Sequence, residues 1–229
     1  VYPFVPFRSQ PRIRRILDGV VELVMEQRPD IVAFQEAEGS SVWTGRFHHL
    51  AYITNRAEFD YTILGEHMSR LMFSYGTAIM ARTPLTRPGS TKFKLGRPCF
   101  PKGFVYGGIH LENFGDIDIA SCHLDPMSKK SRMKQADIIC TVLEKRERPL
   151  VLTGDFNCTW SRKDSVLRTM ADRLSLNAYR PEFDMRSHRA TGKRLDWILI
   201  SQGLDFLDYR HIDTGLSDHM PVIAEIGAK

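Results

Sequence analysis

Apolar residues recur near the amino end with a period of three to four. Ile13, Ile16, Leu17, Val20, Val21 and Val24 fall at i, i+3, i+4, i+7, i+8 and i+11, one face of a helix over residues 12–28. Pro29 and Asp30 end it. The apolar run Ile31 to Phe34 then reads as a buried strand stopping at Gln35–Glu36, and Ser40 to Leu50 as a second helix. Tyr75 to Ala81 reads as a strand closed by Thr83–Pro84. Phe104 to Leu111 and Ile117 to Leu124 read as a strand pair with a turn around Asn113–Phe114–Gly115. In the second of these, Ile117, Ile119 and Ser121 share a face with His123, and Asp118, Ala120 and Cys122 take the other. Ser128 to Arg146 is a helix with Met133, Ala136, Ile139, Cys140 and Leu143 as its stripe. Pro149 to Thr153 is an apolar strand running into Gly154–Asp155–Phe156–Asn157, and Ser161 to Leu174 is a helix. Strands follow over Leu195–Ser201, Phe206–Ile212 and Pro221–Ile226. Helices and strands alternate while two strand pairs look like hairpins, which predicts an α/β class with a mixed or two-sheet arrangement.

Polar, metal-competent residues stand where these strands end: Gln35–Glu36, His123, Asp155 with Asn157, Asp196, and Asp218–His219. Loops at strand ends are where a rigid scaffold usually holds its reacting groups. Singly, each has a plain structural account. Glu36 could cap a helix, His123 could be a satisfied core histidine, and Asp155 and Asn157 after a glycine are turn formers. Asp196 resists such an account: it stands between Leu195 and Trp197 in an apolar strand, and a buried carboxylate needs a partner. Together the carboxylates and the amide are hard oxygen donors suited to Mg²⁺ or Mn²⁺ rather than zinc, and the histidines suit proton transfer.

Composition acts by exclusion. With 42% hydrophobic and 26% charged residues among 229, disorder and collagen are ruled out. No apolar run approaches the roughly 18–20 residues of a membrane span. The net charge of +5 is a mild bias toward polyanions, too weak to name a partner. Cys99, Cys122, Cys140 and Cys158 form no C-x-x-C pair, which argues against a zinc site. No serine or cysteine comes with a matching base and orienter, and neither a P-loop nor a dinucleotide-binding glycine pattern occurs.

Six segments, in order, resemble the endonuclease/exonuclease/phosphatase superfamily. Pro29-Asp-Ile-Val-Ala-Phe-Gln-Glu36 is similar to its "PDIVALQE" strand, Tyr75-Gly-Thr-Ala-Ile-Met-Ala-Arg82 to "YGxAILSR", and Ser121-Cys-His-Leu124 to "T-x-H-L". Gly154-Asp-Phe-Asn157 matches "GDFN", Arg194-Leu-Asp-Trp-Ile198 resembles "R-I-D-x-I", and Ser217-Asp-His219 matches "SDH". The resemblance implies a DNase I-like four-layer α/β sandwich: two packed mixed β-sheets flanked by helices, with residues 1–229 as a single domain. It also implies Mg²⁺-dependent hydrolysis of a phosphoester, foremost a phosphodiester, with Mn²⁺ as a substitute. Carried over by match, Glu36 and Asp218 belong to the metal, and Asp155 orients or deprotonates the attacking water. Asn157 holds a phosphate oxygen or a metal water, and His219 contacts the phosphate with Asp196 fixing its tautomer. His123 matches the catalytic histidine of the DNase I-like and sphingomyelinase-like branches, where the abasic-site endonucleases have a tyrosine.

One departure stands out. The family opens with a strand ending in a metal-site Asn, and here the helix at 12–28 comes where that strand should just have passed. The expectation is therefore that the opening strand and its Asn precede Val1. Substrate class stays open between nucleic acid and phospholipid. Arg12–Arg15, Lys92–Arg97 and Lys129–Arg132 could meet nucleic-acid phosphates or be ordinary solvated faces. The apolar Val1–Phe7 segment suits a peripheral membrane contact or packing on the body. Trp43, Trp160 and Trp197 fit a substrate groove or the core, with Trp160, three residues past GDFN, the best groove candidate. Phosphomonoester or phosphoinositide hydrolysis, and an inactive binding module of the same fold, are the alternatives. No obligate protein partner is indicated.

Overall fold

The first apolar period folds as expected into α1, Gln10–Gln27, and the run after Pro29 into β1, Ile31–Glu38. The computed structural model describes residues 10–38, 48–70, 73–94, 101–112, 114–161 and 166–229. Beyond β1 the order is α2 (His49–Ala57), β2 (Tyr61–Arg70), β3 (Phe73–Ala81), β4 (Leu85–Lys92), β5 (Gly103–Leu111) and β6 (Gly115–His123). Then follow α3 (Lys129–Leu143), β7 (Leu150–Asp155), α4 (Val166–Leu174), β8 (Leu176–Ala178), β9 (Asp196–Ser201), β10 (Leu204–His211) and β11 (Val222–Ala228). The segments Val1–Phe7 and Leu95–Arg97, with Trp43, Cys99 and Asn113, lie outside the described residues.

Six strands form one mixed sheet in the order β4-β5-β6-β7-β9-β8, with β6 and β7 parallel and the other pairs antiparallel. Strands β1-β3-β2 form a second sheet and β10-β11 a third. Alternation along each strand divides the apolar residues between layers. Ile79 and Ala81 of β3, Ile117 and Ile119 of β6, and Ile198 and Ile200 of β9 meet in one core, which Leu204 and Tyr209 of β10 join. Both small sheets thus pack on the same face of the large one. Ala78 and Met80 turn the other way, onto Leu17, Val21 and Val24 of α1 and Ile53 of α2. On the far side, Ala120, Cys122, Leu152, Trp197 and Leu199 meet Ile139 and Leu143 of α3 and Met170 of α4. Helices, small sheets, large sheet and helices give the four-layer α/β sandwich. The outer core holds Trp197, with Trp160 packed against it at 6.0 Å between ring centroids, so packing rather than a groove accounts for both.

Several elements escaped the sequence reading for local reasons. Most of the helix expected over Ser40–Leu50 lies outside the described residues; a helix runs over His49–Ala57, capped by His48, which accepts the Ala51 N–H, a role usually read from Ser, Thr, Asp or Asn. Strand β4 carries Pro88, has a register irregularity between Thr86 and Gly89, and exposes most of its side chains. An edge strand of that kind has no apolar alternation to read. Strands β2 and β8 also stand at sheet edges.

Candidate active site

Three expected residues come together by strand register alone. His123 ends β6, Asp155 ends β7 and Asp196 begins β9; His123 pairs with Asp155 across the first pair, and Asp155 with Asp196 across the second. All three have the parity of the residues that face the small sheets, so their side chains line one corner of the space between the sheets. Gly154 makes the approach of β6 and β7 possible: its φ is 142°, and a Cβ there would lie 2.0 Å from the Cys122 carbonyl oxygen.

Hydrogen bonds lock this group. His123 Nε2 lies 3.3 Å from Asp155 Oδ2. Asp155 Oδ1 accepts the Asn157 backbone N–H at 2.9 Å, and Asn157 Nδ2 donates to Asp155 Oδ2 at 3.1 Å and to the Leu124 carbonyl at 3.0 Å. Asn157 holds a left-handed φ of 50°, a conformation Asn tolerates better than most residues. The Asn157 amide therefore orients Asp155. Burial pushes the Asp155 carboxyl up, but the His123 hydrogen bond and the charges of His123 and His219 outweigh it and hold the carboxyl below its ordinary range.

His219 enters from the loop before β11. Its Nδ1 lies 2.7 Å from Asp196 Oδ2, which also accepts the Ser187 hydroxyl at 2.6 Å, while Ser187 Oγ accepts the backbone N–H groups of Leu195 and Asp196. Fully buried Ser187 thus fixes the carboxylate that fixes the histidine. Burial lowers the His219 pKa, yet the Asp196 hydrogen bond and the Asp196 and Asp155 charges raise it above the ordinary value overall. His219 Nε2 then faces Asp155 Oδ2 at 4.0 Å.

The opposite wall is built differently. Gln35 and Ser121 face each other across the sheets and join at 2.9 Å. The next residue would turn outward, but the β1–β3 register shifts between Gln35 and Ala37 and Glu36 adopts a φ of 57°. The bulge brings the Glu36 carboxylate to the Tyr75 hydroxyl at 2.9 Å and the Lys102 ammonium at 3.0 Å. Lys102, 7% exposed, also donates to Tyr75 at 2.6 Å and faces His123 Nδ1 at 3.4 Å. Burial raises the Glu36 carboxyl, but His123 and Lys102 bring it below its ordinary value overall.

Two groups among the described residues have three ligand atoms within 4.8 Å of one another: Asp155–Asp196–His219, and His188–Asp218–His219. The chain thus carries acidic and histidine clusters able to hold a cation. Glu36 belongs to neither group, so the two residues expected at the metal, Glu36 and Asp218, are not gathered into one cluster. Glu36 has the chemistry Mg²⁺ takes, which binds through one or two carboxylates and keeps several waters. Lys102, Tyr75, Ser187 and His188 were missing from the sequence reading. Tyr75 opens a matched motif, but only the bulge at Glu36 gives its hydroxyl a partner. Lys102 follows Pro101 in a segment without pattern, and Ser187 and His188 lie in a long connection with no apolar period. Of the basic stretches, Arg12, Arg14 and Arg15 are exposed, whereas Arg132 is buried and donates to the Asp125 carbonyl.

A UPF0294 protein of Yersinia enterocolitica is 34% identical over 119 residues, 51% of this chain. That stretch spans 40% of the relative's own length. A functionally unknown conserved protein from Enterococcus faecalis V583 superposes with a TM-score of 0.79 at 15% identity, covering 93% of this chain and 91% of that one. The human Nocturnin catalytic domain with bound sulfate anion does so with 0.74 at 16% identity, covering 94% and 87%. These likenesses show the fold. The sequence profile of the endonuclease/exonuclease/phosphatase family matches residues 16–219, nearly the whole chain. This chain belongs to the endonuclease/exonuclease/phosphatase family.

Proposed function

We propose that this chain hydrolyses phosphodiesters of a nucleic acid or a phospholipid with the help of Mg²⁺ or Mn²⁺. The observation that carries the reading is an unbroken polar run through the corner between the sheets: Glu36, Lys102, His123, Asp155, His219, Asp196 and Ser187, each within 4.0 Å of the next. A run that joins a hard oxygen ligand, a buried ammonium, a base and an oriented imidazole has the parts phosphoryl transfer asks for.

Glu36 would hold the cation, which would offset the negative charge that makes a phosphodiester resist attack. Asp155 is the base. It is held ionised by His123 and aimed by Asn157, so it can take the proton of a water attacking phosphorus. His219 faces the same point with Nε2; its Nδ1–H is committed to Asp196, so Nε2 is a donor to the phosphoryl oxygen or the departing oxygen in the imidazolium form, which Asp196 and Asp155 favour. As the water oxygen bonds to phosphorus, the bond to the leaving oxygen breaks, and that oxygen takes its proton from the His219 side. Lys102 supplies a fixed positive charge beside the path.

The test is hydrolysis of plasmid DNA, single-stranded RNA, sphingomyelin vesicles, a phosphoinositide and a simple phosphomonoester, in Mg²⁺, Mn²⁺ or EDTA, with His219→Ala as control. Cleavage of a diester, lost in EDTA and in the variant, is expected. Cleavage of the monoester or phosphoinositide alone would move the assignment to a phosphatase. Binding of these esters by folded protein without turnover would overturn the enzyme reading in favour of a binding module.

A further inference from the structure

We propose that His188 is a substrate-binding residue whose Nε2–H contacts an anionic oxygen of the phosphoryl group beside His219. This deepens the proposed function and rests on it for the identity of the anion's carrier. His188, Asp218 and His219 look at first like a cation site, with ligand atoms within 4.8 Å of one another. The hydrogen bonds of the His188 ring argue otherwise. Its Nδ1 lies 3.1 Å from the backbone nitrogen of Thr191 and 2.9 Å from the Thr191 hydroxyl. A backbone N–H only donates, so Nδ1 must carry the lone pair. A neutral imidazole has one lone pair and one N–H, so the proton sits on Nε2. An Nε2 that holds a proton has no lone pair for a metal.

The same geometry says what that proton is for. Nε2 is 3.9 Å from Asp218 Oδ2, beyond hydrogen-bond reach. The ring stands nearly perpendicular to that of His219, at 82°, with centroids 4.6 Å apart. The backbone fixes this relation. His188 bridges to His219 on one side and to Lys193 on the other, and Ser187 O accepts the Met220 N–H. The turn that brings the Thr191 N–H under Nδ1 closes with Gly192 at a φ of 63°, whose N–H bonds the His188 carbonyl. The side chains of His188 and His219 are 15% and 11% exposed, so neither is wholly sealed from solvent. The neutral His188 ring, its Nδ1 accepting a backbone N–H, and the His219 imidazolium, its Nδ1–H held by a carboxylate, stand next to each other and together suit an acceptor-only group. The oxygens of a phosphate ester are such a group.

The test uses inorganic phosphate as ligand and Mn²⁺ as cation, each titrated calorimetrically, so it needs no turnover. His188→Phe keeps a ring beside His219 and removes the donor; His188→Gln returns an amide donor at the reach of Nε2. Phosphate affinity is expected to fall about tenfold in the Phe variant, the size of one hydrogen bond to an anion, and to recover in part with Gln, while Mn²⁺ affinity stays unchanged in both. Long-range ¹H–¹⁵N spectra of the wild type should show the His188 proton on Nε2. An Nδ1–H tautomer, a loss of Mn²⁺ affinity in the Phe variant, wild-type phosphate affinity in that variant, or no phosphate binding by the wild type would each overturn the proposal. Phosphate held as expected by a protein that cleaves no ester would sink the hydrolase reading and leave the donor role of His188 standing.

Discussion

The two walls of the site obey different rules. On the wall made by β6, β7 and β9, the reacting groups are set by strand register: His123 opposite Asp155, Asp155 opposite Asp196. Regular strands do the positioning, and Asn157 and Ser187 lock what register delivers. On the wall made by β1 and β3, Glu36 reaches the site only because the ladder is broken at Gln35 and Ala37, and its partner Lys102 precedes β5 instead of standing within it. The first wall is rigid by construction. The second depends on one bulge and one ion pair. On the proposed reading there is a division of labour: proton chemistry would fall to the register-built wall, where an error of 1 Å is costly. A cation, whose coordination tolerates adjustment, would fall to the bulged one.

The sharpest way to break that comparison is to remove charge from the register-built wall. Asp155→Asn keeps the shape but gives up the base, and turnover should fall by about 10³-fold, within the range a general base contributes. Asp196→Asn should cost about 10²-fold or more, because His219 loses the carboxylate that fixes its tautomer. Mn²⁺ affinity, measured by calorimetry, should change by less than about threefold in either variant if Glu36 is the cation's ligand; a larger loss would place the cation at the Asp155–Asp196–His219 cluster instead. Rate and cation binding lost together would thus mean that the division is wrong.

A smaller effect sharpens the other side. In Lys102→Met the Glu36 carboxylate loses the ammonium 3.0 Å away and keeps Tyr75. Removing a competing positive charge at that distance should tighten Mn²⁺ binding by about tenfold, at the effective dielectric of a partly buried site. The same substitution should weaken binding of inorganic phosphate. Tighter phosphate binding, or looser Mn²⁺ binding, would mean that Lys102 is not the cation's rival.

The same division explains what could be read without coordinates. Apolar strands ending in Asp155 and Asp196, and the parity that put His123 with Ile117 and Ile119, follow from a two-residue period that the chain states openly. The helices α1 and α3 were equally legible, because their apolar faces are complete. The strands β2, β4 and β8 were not: β4 carries Pro88, slips register between Thr86 and Gly89 and exposes most of its side chains, and β8 is three residues long. Within the site, Glu36 was legible as a strand-end carboxylate, but its role at a metal came only through resemblance: by plain alternation it belongs on the face of Val32 and Phe34, against the helices. Lys102, Ser187 and His188 had no local signal at all. Each is defined by a partner far away in sequence: Lys102 by Glu36, Ser187 by Asp196, and His188 by His219.

The smallest expected effect separates the walls by pH. His219 has its pKa raised above the ordinary 6.5 on folding, through Asp196 and Asp155 against the cost of burial. Its contribution to stability is therefore complete below about pH 6.5 and is lost as pH rises through the folded value. Glu36 has its pKa lowered from 4.5 by His123 and Lys102. Its contribution is complete above about pH 4.5 and is lost as pH falls through the folded value. Thermal unfolding in EDTA should thus give opposite profiles. The deficit of Asp196→Asn against wild type should be larger at pH 6 than at pH 8.5. The deficit of Lys102→Met should persist at pH 8.5 and close as the buffer is taken below pH 4. Each difference should amount to a few degrees, since about 1 kcal/mol moves the midpoint of a domain this size by about 2–4 °C. Deficits that ran parallel across the whole range would mean that the two walls share one titrating network, joined through His123, and that the run from Glu36 to Asp196 behaves as a single charge relay instead of two independent supports.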